Sequence, residues 1–183
     1  MALTATIFKV TLQIADMDRG YYADHTLTLA RHPSETDERM MVRLVAFALY
    51  AGEFLNFTKG LCADDEPDLW QKGLTGEIKL WIDVGLPDER RIRKACNRSD
   101  QVILFAYGGR GVQNWWARNG STLQRHNNLT VLELTEETTS ALATLVQRSM
   151  QINCTVQDGQ LWIGDASHGL SVSPISLMTP EPL

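Results

Sequence analysis

Between residues 6 and 15 apolar and polar side chains alternate. Phe8, Val10, Leu12 and Ile14 fall on one side of an extended chain, with Lys9, Thr11 and Gln13 on the other, the period-two signature of a half-buried strand. A polar stretch at 16–20 turns the chain, and the alternation resumes over 25–30 through Leu27 and Leu29, so an N-terminal β-hairpin is predicted. The period then changes. Met41, Leu44, Val45, Ala48 and Leu49 recur at helical spacing, which predicts a helix reaching about Ala51. Ser34 is its expected N-cap, acidic residues fill its first turn, and Gly52 closes it.

Beyond the helix a short strand is expected over 53–61, followed by an acidic loop, 63–66, that leads into Pro67-Asp68. Strand periodicity returns over 77–85, where Ile78, Leu80, Ile82 and Val84 face one way and Lys79, Trp81, Asp83 and Gly85 the other. Pro87 suits the first turn of a second helix, whose apolar face is Ile92, Ala95 and Cys96. Residues 101–107 form a nearly continuous apolar run, as expected for a strand covered on both faces. The glycine-rich turn at 108–111 enters a helix carrying Trp115 and Trp116 and ending near Gly120. It lacks the lysine of a phosphate-binding loop, so tight-turn geometry explains it better than a phosphate. A strand at 129–134, a helix capped by Thr135 and running through Arg148, and alternating segments at 152–156, 161–163 and 170–175 complete the chain. Asp158-Gly159 is a hairpin turn. The order predicts an α/β protein, a mixed β-sheet flanked by helices, with an N-terminal hairpin and a C-terminal β-meander.

Composition narrows the class without naming it. The 183 residues suit a single domain spanning 1–183. A formal net charge of −5 argues against a broad electrostatic footprint for nucleic acid and leaves room for a local basic groove. Cys62, Cys96 and Cys154 stand far apart and form no zinc-binding pair, which reads as reduced cysteines of a cytoplasmic protein. The first residues carry no leader pattern, and no apolar run reaches membrane-spanning length.

The chemistry concentrates around Pro67-Asp68 and the strand that ends in Asp83-Val84-Gly85. Two carboxylates at a sheet edge, separated by a turn, are what a hard cation such as Mg2+ or Mn2+ takes as ligands. The spacing resembles the PD-(D/E)xK signature of metal-dependent nucleases, except that Gly85 stands where the lysine belongs. On the helix that follows, Arg91, Lys94 and Arg98 recur at helical spacing as a basic stripe.

Three strings also resemble the bacterial YaeQ family: residues 30–41 (ARHPSETDERMM), 60–67 (GLCADDEP) and 85–92 (GLPDERRI). That family in turn resembles the restriction-endonuclease-like PD-(D/E)xK superfamily in fold. The resemblance implies Asp68 and Asp83 as the acidic pair and metal ligands, with Glu38 as the acidic residue of the first helix. It also implies a cation moved from Gly85 to the helix. Arg91 and Lys94 are both candidates; an arginine is a poor proton-transfer group and lies nearer the helix start, so Lys94 is the expected stand-in. With the strand ending near Leu86 and the helix starting near Asp88, Asp83 lies about 10 Å back along the strand. Lys94 lies about 9 Å back along the helix, level with it. Three readings follow: a Mg2+-dependent phosphodiesterase acting on nucleic acid, a catalytically degenerate protein binding nucleic acid or a protein partner, or a structural role in which the acids satisfy helix N-termini and the basic stripe. In the first two, Arg91, Lys94 and Arg98 would meet the phosphate backbone.

Overall fold

The computed structural model describes residues 4–59 and 64–181. The chain divides into two compact units, the first drawn from Met1–Leu49 and Glu137–Ser173, the second from Tyr50–Glu136 and Pro174–Leu183. Among the described residues no helix is long and apolar enough to cross a membrane.

The first unit is a five-stranded sheet with one long helix. Strands β1 (Thr6–Asp16) and β2 (Tyr21–Arg31) form the expected hairpin. After β2 the chain enters helix α1 (Asp37–Tyr50). Its N-cap is Thr36, whose hydroxyl accepts from the Arg39 N–H at 3.2 Å, and not the expected Ser34, which is bonded to His32. The helix therefore begins later than its acidic run suggested. Glu35 does not join the first turn; it is buried with Arg43 and Arg39.

In the second unit, β4 (Leu69–Lys72) runs antiparallel to both its neighbours, β3 (Leu55–Phe57) and β5 (Ile78–Val84). The expected strand over 53–61 is this short β3, and its last two residues, with Cys62 and Ala63, lie outside the described residues. Helix α2 (Glu89–Arg98) and helix α3 (Arg110–Leu123) carry the chain from β5 to the parallel strands β6 (Ser99–Tyr107) and β7 (Leu129–Leu134). One core of this unit packs α2 and α3 through Ile92, Ala95, Val112, Trp115 and Leu123 onto Trp81, Val102, Leu104 and Val131. Trp115 is thus a core residue, its ring N–H donating to the Pro87 carbonyl at 2.8 Å. Gly108 and Gly109 both have positive φ, a conformation open to glycine. The Glu136 carboxylate stands beside the turn, 2.7 Å from where a Cβ on Gly109 would lie.

Helix α4 (Glu136–Ala143) is shorter than the expected 135–148. It leads to β8 (Ser149–Gln157), β9 (Gln160–Gly164) and β10 (Gly169–Val172), which complete the first sheet in the order β10-β9-β8-β1-β2. Asp158 and Gly159 both take positive φ at the hairpin turn, as a tight two-residue hairpin requires. The expected single sheet is corrected to two mixed sheets: β1 pairs with β8 in parallel and so gathers hairpin and meander together. The last expected strand, 170–175, is two strands. Pro174 separates β10 from β11 (Ile175–Met178), which joins the second sheet in the order β11-β7-β6-β5-β4-β3; a proline supplies no ladder donor and favours such a break.

Cys96 and Cys154 are unpaired, buried thiols, and burial pushes their pKa values up to about 11 and about 12. The thiolate is the nucleophile, so in a Cys62→Ala background neither should react with a thiol-directed disulfide reagent at neutral pH until denaturant is added. Stoichiometric labelling of the native protein would contradict this.

Candidate functional site

The site begins with the β4–β5 pairing. Leu69 lies opposite Ile82, and the Asp68 N–H donates to the Ile82 carbonyl at 3.0 Å. That bond breaks the regular register just before β4, and the Val84 N–H reaches the Asp68 side chain, so Asp68 stands beside the Ile82–Val84 end of β5. Asp68 and Asp83 are both buried, at 4% and 3% exposure, in a setting where an unpaired carboxylate is costly. Asp68 meets that cost locally: its Oδ2 accepts from the Val84 N–H at 2.8 Å. Asp83 meets it through Arg91, whose Nε and Nη2 each lie 2.9 Å from one carboxylate oxygen, a two-bond fork that lysine cannot make.

The cation beside Asp83 is Arg91, and the expectation of Lys94 is corrected. The strand ends at Val84 and the helix begins at Glu89. Asp83 is one residue from the strand's end, about 3 Å back, and Arg91 is two residues into the helix, also about 3 Å. Lys94 lies past that level and turns to the Asp65 carboxylate instead. Asp88 fixes the start of α2 by accepting from the Arg91 N–H at 2.8 Å, so the cap that begins the helix also sets the height of the guanidinium.

Gly85 is explained by its backbone. Its φ is +112°, a region that L side chains rarely adopt, and its N–H donates to the Phe105 carbonyl at 2.9 Å. A lysine there would strain the turn that leads into α2.

Residues 64–66 lie along the basic stripe. Arg91 Nη2 donates to the Glu66 carbonyl at 2.9 Å and Nη1 to the Asp64 carbonyl at 3.4 Å. Arg98 donates to the Asp65 carbonyl at 3.1 Å and stands over the Trp81 ring at 5.6 Å. The Lys94 hydrogen bond, and then its charge, hold the Asp65 carboxyl below its usual value. The structure thus brings Asp68, Asp83 and Arg91 together, with Lys94 and Arg98 along the same helix. Glu38 is half-buried in the first turn of α1 and belongs to the first unit. Sequence reasoning missed the Glu35–Arg39–Arg43 group, although its spacing of four residues repeated twice was a usable signal.

A divalent cation needs carboxylate oxygens open to it and keeps several waters. Asp83 gives both oxygens to Arg91, and Asp68 gives one to a strand amide. Among the described residues no group of three or more His, Cys, Asp or Glu is placed to hold an ion. The residues as arranged do not fit Mg2+ or Mn2+.

The architecture defines a mixed α/β protein, with two mixed sheets and four helices among the described residues, its second unit tied by a buried aspartate to a half-buried arginine. A model of the family described as YaeQ protein matches residues 1–174, and the chain belongs to the YaeQ family. It is 48% identical over 181 residues to the uncharacterized protein YaeQ of Escherichia coli (strain K12), covering 99% of this chain and 100% of that protein. The crystal structure of YaeQ protein from Xanthomonas axonopodis pv. citri superposes with a TM-score of 0.93 at 50% identity, over 97% of this chain and 100% of that one. The YaeQ protein of Pseudomonas syringae superposes with a TM-score of 0.90 at 32% identity, over 96% and 97% of the two chains.

Proposed function

We propose that this chain is a catalytically silent protein on a PD-(D/E)xK-like frame, one that binds nucleic acid and does not cleave it. The observation that carries this reading is the Arg91 fork on Asp83: a fixed guanidinium supplies the positive charge that a metal would bring, and it cannot activate a water. Gly85, held at positive φ, leaves no lysine at the motif position after Asp83. For binding, the support is the oxygen-rich company of Arg91, Lys94 and Arg98. Carbonyls and one carboxylate of residues 64–66 occupy them, and phosphate oxygens are acceptors of the same kind. The Lys94–Asp65 pair is exposed on both sides, so solvent and salt weaken it and a phosphate can displace it. A second reading, a Mg2+-dependent phosphodiesterase, draws on two buried carboxylates at the end of β5 and the entry to β4 and requires Arg91 to leave Asp83.

Two measurements separate the readings. Millimolar Mg2+ or Mn2+ should leave the melting temperature unchanged, because a ligand raises stability only by binding the folded state. A rise that Asp83→Asn abolishes would favour the hydrolytic reading. Single-stranded oligonucleotides should bind weakly with a steep salt dependence, and Lys94→Ala should flatten the log–log salt slope by about 1. Unchanged affinity and slope in a Lys94→Ala, Arg98→Ala variant would remove this surface from the proposal.

A further inference from the structure

The first unit carries a second surface that the α2 site does not use. Side chains alternate along a strand, so one face of the sheet β10-β9-β8-β1-β2 can be read row by row from its register. One row is Tyr22, Ala15, Thr155, Trp162 and Ser171. The adjacent row is Asp24, Gln13, Asn153, Gly164 and Gly169. The opposite face holds Leu12, Ile14, Ile152, Cys154 and Ile163, all in the core. The outer rows are accessible, and Tyr22 and Trp162 are 65% and 53% exposed. They stand three strand spacings apart, about 14 Å, with only Ala15 and Thr155 between them.

Beside Trp162 lies a cavity of about 490 Å³, within the range of ligand sites. Its floor is bare backbone: Gly164 and Gly169 face each other across β9 and β10, and a Cβ on Gly164 would come within 2.5 Å of the His168 carbonyl. The far wall is a preset turn. The Asp165 carboxylate accepts the Ser167 and His168 N–H groups at 2.8 Å each, and these bonds hold its carboxyl below the usual range. Asn153 and Thr155 complete the lining. Trp162 thus stands beside an open hollow whose glycine pair brings backbone and no side chains, edged by an amide and a hydroxyl.

The charges on this face are few and of both signs. Lys9 is bonded to Thr28, Asp165 is engaged in its own turn, and Asp24 and His168 lie at opposite ends of the rows. A phosphodiester chain requires clustered cations, which this face lacks. Neutral amides and hydroxyls with aromatic rings match an uncharged ligand that offers hydroxyls at its edges and C–H groups on its faces. We infer that the outer face of this sheet is a binding site for a neutral, flat oligosaccharide, one sugar stacked on Trp162 over the Gly164–Gly169 bed and the chain extending toward Tyr22. The site is independent of the arginine–aspartate pair.

The test is calorimetric titration of the full chain with cellohexaose and chitohexaose, two neutral and extended glycans, at low and high salt. Binding insensitive to salt is expected for at least one. Trp162→Ala should weaken it about ten-fold by removing an aromatic stacking contact. Tyr22→Ala should weaken the hexasaccharide and leave the disaccharide unchanged, since a disaccharide covers only the Trp162 end. Both side chains are exposed, so circular dichroism and melting should match the parent. The inference is overturned if neither hexasaccharide binds at millimolar concentration, or if Trp162→Ala binds as the parent does. It is equally overturned if poly(U) binds this face with steep salt dependence, which would assign it to single-stranded nucleic acid.

Discussion

Arg91→Ala is expected to destabilise the protein by up to about 3–5 kcal/mol, the cost of stripping the partner from a buried charge, with Arg91 itself only half-buried. Asp83 carries the effect. It is 3% exposed, and without Arg91 a negative charge remains in the wall of an apolar sheet with its two-bond partner gone. Two further groups lose a partner at once, because the same guanidinium ties the Glu66 and Asp64 carbonyls to α2. For a chain of this size the melting temperature should fall by roughly 6–20 °C. Arg91→Lys should rescue little, since a single ammonium cannot reproduce the fork. The control is Lys94→Ala, whose exposed pair with Asp65 should contribute little. A double-mutant cycle with Asp83→Ala then measures the coupling, and the double variant should be far less destabilised than the sum of the singles. Urea melts in which Arg91→Ala and Lys94→Ala behave alike would show that Arg91 is not the anchor of the site.

That contrast also shows how far the candidate site was legible in the sequence. Asp83 stood out because a carboxylate interrupts a run of Leu, Ile and Val, and Asp68 because it follows a proline at the head of a strand; the fold brings both to the Ile82–Val84 end of β5. The basic stripe was legible from helical spacing. What was not legible was which cation reaches Asp83, since that depends on the strand end and helix start to within a residue. Moving the strand end from Leu86 to Val84 shifts the level of Asp83 by about two strand steps, roughly 7 Å, enough to exchange Lys94 for Arg91. Gly85 is the mirror case. Its identity was plain, but as a departure from a motif; its meaning came from the φ of +112° that the turn requires.

The fold divides in the same way. Periodicity located β6, β7 and the N-terminal hairpin to within a few residues, because each has a clean alternating or continuous apolar pattern. It said nothing of partners. That β1 pairs with β8, more than a hundred residues away in sequence, is a long-range choice that local patterning does not encode. The division into two sheets follows from that pairing. Ser34 misled for a local reason: it resembles an N-cap as well as Thr36 does, and the nearby His32 took its hydroxyl.

Arg43→Ala should produce a loss comparable to that at Arg91, about 3–5 kcal/mol, and this time within the first unit. Arg43 sits in the middle of α1 among Met40, Met41, Leu44 and Phe47 and is 3% exposed, an unusual place for a charge. Its Nε and Nη2 grip the Glu35 carboxylate at 2.8 and 2.7 Å. Nη2 also donates to the Ala30 carbonyl at 3.1 Å, tying the helix to the end of β2. Arg39 adds a bond to Glu35 at 2.9 Å from the helix's outer side. The group therefore welds the β2–α1 connection, and removing Arg43 leaves Glu35 buried with only Arg39 in reach. Arg39→Ala should be milder, because the Arg43 fork still neutralises the carboxylate. The decisive variant is Glu35→Gln with Arg43→Met, which removes both charges and keeps the volumes. It should recover most of the loss, since replacing a buried pair by neutral groups of similar size is often nearly neutral. Chemical denaturation of the three variants, followed by far-UV circular dichroism, orders them as Arg43→Ala least stable, then Arg39→Ala, with the double replacement close to the parent. An Arg43→Ala protein within about 1 kcal/mol of the parent, no more than an ordinary surface change, would mean that α1 is held by its apolar packing alone.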